Sequence, residues 1–264
     1  MKKILLERLR GFKVRGGRTN RYALLDSIRG IALISMILYH GIWNLVYIYG
    51  FDWSWYKGKG AWLWQQSICW TFILLSGFCW SIGKRRLKNG LMVFGGGLLV
   101  TAVTLWSMPQ NRVVFGVLTC IGSCILLLIP LERFLRHLSF EWGMAVSFLF
   151  FGLTRSVNRG YLGLGKMGFV ELPKSWYQGN LGAYLGFPSP SFYSTDYFPL
   201  IPWFFLFLTG YFFYGICQKR SWFNRKIFRV CIPAAEVLGR NSLLIYLLHQ
   251  PILYFVESII LAGH

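Results

Sequence analysis

Charged residues are scarce in this chain of 264 residues. They make up 14% of the sequence, only nine of them are acidic, and 55% of all residues are hydrophobic. Because roughly a quarter of the residues in an ordinary globular protein are charged, a water-soluble fold has too little polar surface to cover this much apolar surface. The composition therefore excludes a soluble domain.

Motifs that carry chemistry are also few. The chain has four histidines, and none of its six cysteines lies beside a histidine at the spacing of a metal site. The sequence contains no Ser-His-Asp, phosphate-loop or zinc-protease motif. We therefore expect no metal site, and we interpret the cysteines as small apolar packing residues.

Long apolar runs are present instead. A helix needs about 20 predominantly apolar residues to cross a bilayer core of ~30 Å. Seven runs approach this length, at approximately 22–48, 60–83, 90–108, 113–131, 139–154, 198–217 and 232–261. They predict an all-α fold, a polytopic membrane helical bundle with about seven transmembrane helices. The fifth run is the shortest, and its loss would reverse the sides of all later loops.

The net charge of +19 is spread unevenly along the chain. Eight of the 28 basic residues precede Tyr22, and alternate loops carry most of the others, so nineteen fall on one predicted side and seven on the opposite side. Since basic residues are enriched in cytoplasmic loops, this pattern predicts a multi-pass protein of the plasma membrane with its N-terminus inside. Anionic membrane lipid, rather than nucleic acid, is the expected partner of the charge.

These observations divide the chain into two parts. Residues 1–21 are predicted to form a basic cytoplasmic segment, and residues 22–264 the transmembrane domain. The connection at about 155–197 is predicted to be a long outer loop, and loops of this length are commonly functional or disordered. The oligomeric state stays open, with a homo-oligomer among the alternatives.

Ionisable residues occur inside the first apolar run. A charged side chain at the bilayer centre costs about 2.5 to 3.5 kcal/mol, so such residues usually face a protein interior and mark function. Asp26 and Arg29 have the spacing of an i, i+3 ion pair, and for them a structural and a functional interpretation stay equally open. Arg29 and His40 are eleven residues apart, which places them on one helix face and ~16 Å apart along the axis.

The same face continues to Asn44. A cation near the cytoplasmic edge, a deep imidazole at His40 and an amide beyond it form a path that suits a long anionic cofactor entering from the cytoplasm. The alternative is a histidine that is satisfied by a hydrogen bond between helices. We favour the functional interpretation because ionisable residues inside membrane spans are expensive to retain.

The last run carries a second polar group. His249 lies in its middle, Tyr246 is adjacent on the helix surface, and Arg240 lies near the cytoplasmic end. Pro251 has no N–H to donate to the carbonyl of Leu247, so the helix is expected to bend beside His249. Packing and bending explain these residues as well, but two imidazoles in separate runs suit one shared site.

Four segments resemble those of a known family. They are residues 22–30 with His40, then 116–122, 196–203 and 238–251, and they are similar in order to the bacterial branch of the heparan-α-glucosaminide N-acetyltransferase catalytic-domain family. The spacing of Arg29 and His40 is also similar to the first-span motif of other transmembrane acyltransferases. Two positions depart from the family pattern, because Asn44 stands where many relatives carry Asp and Thr119 where they carry His.

The resemblance implies a membrane-embedded acyltransferase. It would move an acetyl group from cytoplasmic acetyl-CoA to an acceptor on the outer side, which would be a carbohydrate such as a sugar or amino sugar. In this scheme His40 acts as the general base or is itself acetylated. The other residues predicted for the site are Asn44 and His249 for catalysis, Arg29, Asp26 and Arg240 for the CoA thioester, and Asp196, Trp203 and Tyr246 for the acceptor.

An alternative comes from another class of protein. In a proton-coupled transporter or flippase, His40, His249 and Asp26 would relay protons while a small solute or lipid-linked molecule crosses. Inverted repeats would favour this hypothesis, and the sequence shows none. A non-catalytic membrane partner protein is a third hypothesis, which would leave the ionisable residues without a role.

Overall fold

The structure is a computed structural model that describes residues 22–165 and 167–262. This part of the chain is mainly helical. The helices are α1 (Ala23–Tyr47), α2 (Lys59–Trp80), α3 (Arg86–Ser107), α4 (Val117–Leu135), α5 (Phe140–Leu153), α6 (Gly179–Leu185), α7 (Leu200–Lys219), α8 (Pro233–Arg240) and α9 (Ser242–Ala262). The strands are β1 (Tyr161–Leu164) and β2 (Met167–Glu171). The predicted all-α membrane bundle is confirmed.

Each of the seven apolar runs contains a helix. Five helices of the described part, α1, α3, α4, α7 and α9, are long and apolar enough to cross a membrane by length and composition. Helix α2 has 22 residues, whereas α5 has 14 residues and a length of only ~21 Å. Exposed apolar side chains such as Leu98, Trp106 and Phe255 cover the outside of α3 and α9, as expected of surfaces that face lipid.

The short helix α5 nevertheless runs along most of α7. Glu141 at the start of α5 forms an ion pair of 2.9 Å with Lys219 at the end of α7. At the other end of α5, the guanidinium of Arg155 lies 4.7 Å from the ring centre of Trp203, near the start of α7. The two helices are therefore antiparallel, and α5 connects opposite ends of the bundle.

Helix α7 forms the centre of the core. Its side chains Phe207 and Phe212 are almost completely buried. A Cβ atom at Gly77 of α2 would lie 1.9 Å from the carbonyl oxygen of Phe207, and one at Gly210 would lie 2.2 Å from that of Leu74. Two reciprocal glycines thus let the backbones of α2 and α7 touch, a form of packing that is common between membrane helices.

The connection between α5 and α7 is more ordered than its composition indicates. Strands β1 and β2 form an antiparallel hairpin, and α6 follows it. The end of the connection packs on the segment that leads into α4, because the backbone N–H groups of Thr195 and Phe198 donate to the carbonyls of Arg112 and Phe115. These bonds fix the residues just before α7.

The seventh apolar run is divided into two helices. The prediction of one helix over 232–261 was wrong at this point, because α8 ends at Arg240 and α9 begins at Ser242. The backbone of Asn241 between them is not helical, with φ −103° and ψ 22°. Helix α8 packs closely on α1, since a Cβ atom at Gly30 would lie 1.8 Å from the carbonyl oxygen of Ala235.

Candidate active site

The charged residues at the start of α1 pair with one another. Arg29 Nη1 donates to Asp26 Oδ1 at 3.1 Å, and Arg29 Nη2 lies 3.2 Å from Cys79 Sγ. Arg240 of α8 lies 3.9 Å from Asp26 Oδ2 and also forms an ion pair with Glu236. Arg240 of α8 and Asp26 of α1 thus connect the two helices within this cluster.

The two histidines predicted for the site meet between α1 and α9. The rings of His40 and His249 have their centres 5.0 Å apart, and the ring of Tyr246 lies 5.3 Å from that of His249. His249 is 7% exposed. The structure thus brings together one residue from the first apolar run and two from the last.

A chain of side chains reaches His40 from the far end of α9. Glu257 Oε2 accepts a hydrogen bond of 2.8 Å from Asn44 Nδ2, and the same nitrogen lies 3.3 Å from Gln250 Oε1. Gln250 Nε2 in turn lies 3.3 Å from His40 Nδ1. Glu257 therefore supplies a carboxylate beside Asn44.

This chain determines the tautomer of His40. A carboxylate only accepts hydrogen bonds, so Glu257 fixes the amide nitrogen of Asn44 as the donor. The second N–H of the Asn44 amide then donates to the side-chain oxygen of Gln250. The side-chain nitrogen of Gln250 therefore faces His40 and donates to its Nδ1. We therefore assign neutral His40 with its proton on Nε2, where it is a hydrogen-bond donor.

His249 has the opposite tautomer. Its Nδ1 lies 2.5 Å from the backbone carbonyl oxygen of Tyr246, which can only accept, so Nδ1 carries the proton. The ring is therefore held by the carbonyl of Tyr246. It is not held by the carbonyl of Leu247, which lacks a backbone donor because Pro251 has no N–H. His249 Nε2 is buried and has no hydrogen-bond partner among the described residues. It is a basic nitrogen with an available lone pair.

Asp196 approaches the same region from the loop before α7. Its Oδ2 lies 3.4 Å from the N–H of Val117 at the start of α4. Burial raises the pKa of this carboxyl from 3.8 to about 6, although the Val117 N–H acts in the opposite direction. Phe198, two residues further along the chain, belongs to the hydrophobic cluster against which Tyr246 packs. Asp196 therefore lies at the loop end of that cluster.

The structure separates the nine predicted site residues into three groups. Asp26, Arg29 and Arg240 form the ion cluster, His40, Asn44, His249 and Tyr246 form the histidine site, and Asp196 and Trp203 lie at the loop end of the bundle. Sequence reasoning missed Gln250 and Glu257. A signal was available, because both are polar residues within the apolar run of the last helix.

The fold and the site define a multi-pass membrane protein with a buried histidine site. Several apolar helices form a multi-pass membrane bundle, and inside it two imidazoles with opposite hydrogen-bonding roles lie with their ring centres 5.0 Å apart. In residues 22–165 and 167–262, no group of three or more His, Cys, Asp or Glu residues could hold a metal ion. The chemistry that the described site offers is proton transfer and hydrogen bonding.

Comparison with protein families identifies the family. Residues 21–251 match the model described as heparan-alpha-glucosaminide N-acetyltransferase, catalytic. The match covers nearly the whole chain, so the chain belongs to this family and is a transmembrane acetyltransferase. The resemblance to this family that four segments indicated is thereby confirmed. Comparison with curated proteins and with solved structures gave no match.

Proposed function

We propose that the protein transfers an acetyl group from acetyl-CoA in the cytoplasm to an amine or hydroxyl of a carbohydrate on the outer side of a bacterial plasma membrane. One observation carries the proposal: His249 has a buried ring nitrogen without a hydrogen-bond partner among the described residues, and the centre of its ring lies 5.0 Å from that of His40 inside a transmembrane acetyltransferase. Acyl transfer to an amine or hydroxyl needs such a base and a donor for the developing oxyanion.

The hydrogen bonds favour His249 as the base. Its Nε2 would take the proton of the acceptor while the acceptor atom attacks the thioester carbonyl. The Nε2–H group of His40 would donate to the carbonyl oxygen as it becomes negative. The C–S bond then breaks, and the CoA thiolate takes the proton back from His249. This scheme gives His249 the role of base, which the resemblance assigned to His40. His40 as base, or as an acetylated intermediate, stays the alternative.

The remaining parts of the proposal concern the two substrates. CoA would enter beside the ion cluster, where the side chain of Arg240 is 40% exposed and can contact a phosphate with its open side. Arg29 and Asp26 would keep this entrance in place. On the outer side, Tyr246, Asp196 and Trp203 would bind the acceptor, because they connect the histidine site with the loop before α7.

The test measures CoA binding and acetyl transfer with protein purified in detergent. A ligand that binds only the folded state stabilises it, so acetyl-CoA and CoA should raise the thermal unfolding temperature. Glucosamine with radiolabelled acetyl-CoA should give a labelled product. A transporter or flippase predicts neither result. Folded protein that shows no shift with millimolar CoA and forms no product would overturn the proposal.

A further inference from the structure

The hairpin of β1 and β2 has two different faces. Directly paired residues of an antiparallel sheet lie on the same face, and successive residues of a strand alternate between faces. In the register of this hairpin, the paired side chains of one face are all apolar, namely Leu162, Leu164, Met167 and Val170. Tyr161 and Glu171 form a pair on the opposite face. The hairpin is therefore amphipathic, and the four paired apolar residues are called the apolar hairpin face.

Much of the apolar hairpin face is not covered by the protein. Leu164 is 47% exposed, Val170 56% and Met167 68%. The neighbouring side chain of Phe169 is exposed as well. Exposed apolar residues that lie together in this way mark a surface of contact with a protein or a membrane.

The lipid-facing surface of α5 leads directly to this face. Phe148 and Leu149 are exposed apolar side chains of α5. Gly152 follows them by four and three residues, so all three lie on one face of the helix. A Cβ atom at Gly152 would lie 3.3 Å from Leu164 Cδ2. Leu164 therefore packs at the end of the helix face that Phe148 and Leu149 present to lipid.

The ion pair at the other end of α5 indicates the depth of this contact. Glu141 and Lys219 pair where α5 begins and α7 ends, and charged groups are expensive in the interior of a bilayer. Gly152 follows Glu141 by eleven residues, or ~16 Å along the helix, whereas the hydrocarbon core is ~30 Å thick. Helix α5 thus ends before it reaches the second boundary, and Leu164 lies at a depth that lipid chains reach.

The backbone of the hairpin limits how far it can enter the lipid. Within the described residues β2 pairs with β1 alone, and an open sheet edge does not occur in the hydrocarbon region because its N–H and C=O groups need partners. The turn is better satisfied, since the hydroxyls of Ser156 and Tyr161 each donate to the carbonyl of Gly165 at 3.1 Å. The hairpin is therefore suited to the boundary between headgroups and acyl chains.

Cations lie on both sides of the hairpin in the sequence. Arg159 precedes β1 by two residues, Lys174 follows β2 by three, and both are exposed. Trp176, which follows Lys174, is also exposed. Basic residues and Trp are typical of the headgroup level, where phosphates are available. An apolar tip below two cations has the same order of groups as a lipid leaflet.

We propose that this hairpin docks on the membrane, with the apolar hairpin face and Phe169 inserted among the lipids of the leaflet at the loop end of the bundle. Arg159 and Lys174 contact the lipid phosphates. The lipid thus anchors the first part of the connection between α5 and α7, whereas hydrogen bonds of Thr195 and Phe198 anchor its end.

The experiment places nitroxide spin labels on both faces of β2, in full-length protein in phosphatidylcholine nanodiscs. Cys231→Ser first removes the exposed native thiol. Labels are then attached separately to Met167→Cys, Val170→Cys and Glu171→Cys, three exposed positions. Position 171 is the matched control, because it is adjacent to 170 and lies on the other face. Electron paramagnetic resonance measures collisions with oxygen, which concentrates in lipid, and with a water-soluble nickel chelate.

We expect the ratio of oxygen to nickel collisions to be several-fold higher at positions 167 and 170 than at 171, and highest at 167, nearest the tip. Equal ratios at the three positions, with free access of the nickel chelate, would overturn the proposal because the hairpin then lies in water. Low access of both reagents at 167, or dipolar coupling between labels on two copies, would also overturn it, because protein then covers the face. The measurement needs no acetyl transfer, so its outcome is separate from the test of the proposed function.

Discussion

Helix α1 carries two polar groups of opposite character. Near its start, Asp26 and Arg29 belong to an ion cluster in which carboxylates and guanidinium groups meet each other. Three turns further along, His40 and Asn44 belong to a site in which Asn44 Oδ1 and His249 Nε2 have no hydrogen-bond partner among residues 22–165 and 167–262. The two groups differ in hydrogen-bonding capacity, because the charges of the first pair mainly with one another, whereas the second has buried acceptors that no described residue uses.

The ion cluster has the properties of a structural joint. A Cβ atom at Gly239 would lie 1.8 Å from the carbonyl oxygen of Asp26, so α8 and α1 are in direct backbone contact beside the charges. A buried ion pair gains little stability because desolvation of its charges offsets their attraction. The cluster therefore specifies how α8 sits on α1 more than it stabilises the fold.

The histidine site has the properties expected of a reaction site. His249 Nε2 and Asn44 Oδ1 are both buried, and neither has a hydrogen-bond partner in the part of the chain that the structure describes. A stable scaffold would avoid the cost of such atoms. Solvent exposure does not distinguish the two groups, because Asp26, Asn44 and His249 are all buried. Hydrogen-bonding capacity that no described residue uses is the property that distinguishes the histidine site from the ion cluster.

The largest effect is expected at His249. We predict that His249→Gln lowers kcat of acetyl transfer by roughly 10² to 10⁴, because a positioned general base contributes about this much. CoA binding should not change, since the phosphates are expected to bind near Arg240. The measurements are initial rates with labelled acetyl-CoA and the thermal shift that CoA produces.

Substitutions of His40 provide the control for this assignment. His40→Gln keeps an N–H donor in the site, whereas His40→Ala removes it and should cost about 10² to 10³ in rate, the range for one oxyanion donor. We therefore expect His40→Gln to be more active than both His40→Ala and His249→Gln. A His40→Gln variant as inactive as His40→Ala, beside an active His249→Gln, would return the role of base to His40.

The next largest effect, on stability, is expected at the contact between α8 and α1. Gly239→Ala should destabilise the protein by about 1 to 3 kcal/mol or more, because the added methyl group overlaps the carbonyl oxygen of Asp26 and forces α8 away from α1. Thermal unfolding in detergent measures this loss. Gly95→Ala of α3 is the matched control, since a Cβ atom there would meet nothing within 4 Å. An equal unfolding temperature for both variants would contradict close packing of α8 on α1.

Sequence reasoning predicted the features that depend on composition and spacing along one helix. Apolar runs predicted the helices, and the eleven-residue interval placed Arg29 and His40 on one face of α1. Division of the last run was not predicted, because Asn241 is only a weak break signal within an apolar pattern. Order in the connection between α5 and α7 depends on hydrogen bonds to the segment before α4, which is distant in sequence.

The site was predictable in its residues and less so in their roles. His40, Asn44 and His249 stand out because polar groups are rare in apolar runs. Their tautomers depend on which atom of Gln250 faces His40, and this follows from Glu257, seven residues further along α9. Contacts of that kind require the packed structure of two helices. The roles of base and donor therefore stay predictions that kinetics must separate.

The smallest effect is expected at Asp196, in the loop before α7. Its hydrogen bonding is intermediate between that of the ion cluster and that of the histidine site. Its carboxylate accepts a long hydrogen bond of 3.4 Å from the N–H of Val117, and burial raises its pKa to about 6. A carboxyl whose pKa is higher in the folded state binds its proton more tightly there, so it contributes stability below about pH 4. This contribution is lost as the pH rises through about 6.

Asp196→Asn removes this dependence and keeps a side-chain oxygen that can accept from Val117. We predict that the variant unfolds at about the same temperature as the wild type near pH 4. It should become relatively more stable as the pH rises to 7, by a few degrees at most, because the wild-type carboxylate is then ionised and the amide is not. The measurement is thermal unfolding of both proteins in detergent across this pH range. A difference that is constant with pH, or that falls as the pH rises, would show that Asp196 is well paired in its ionised form and belongs with the ion cluster.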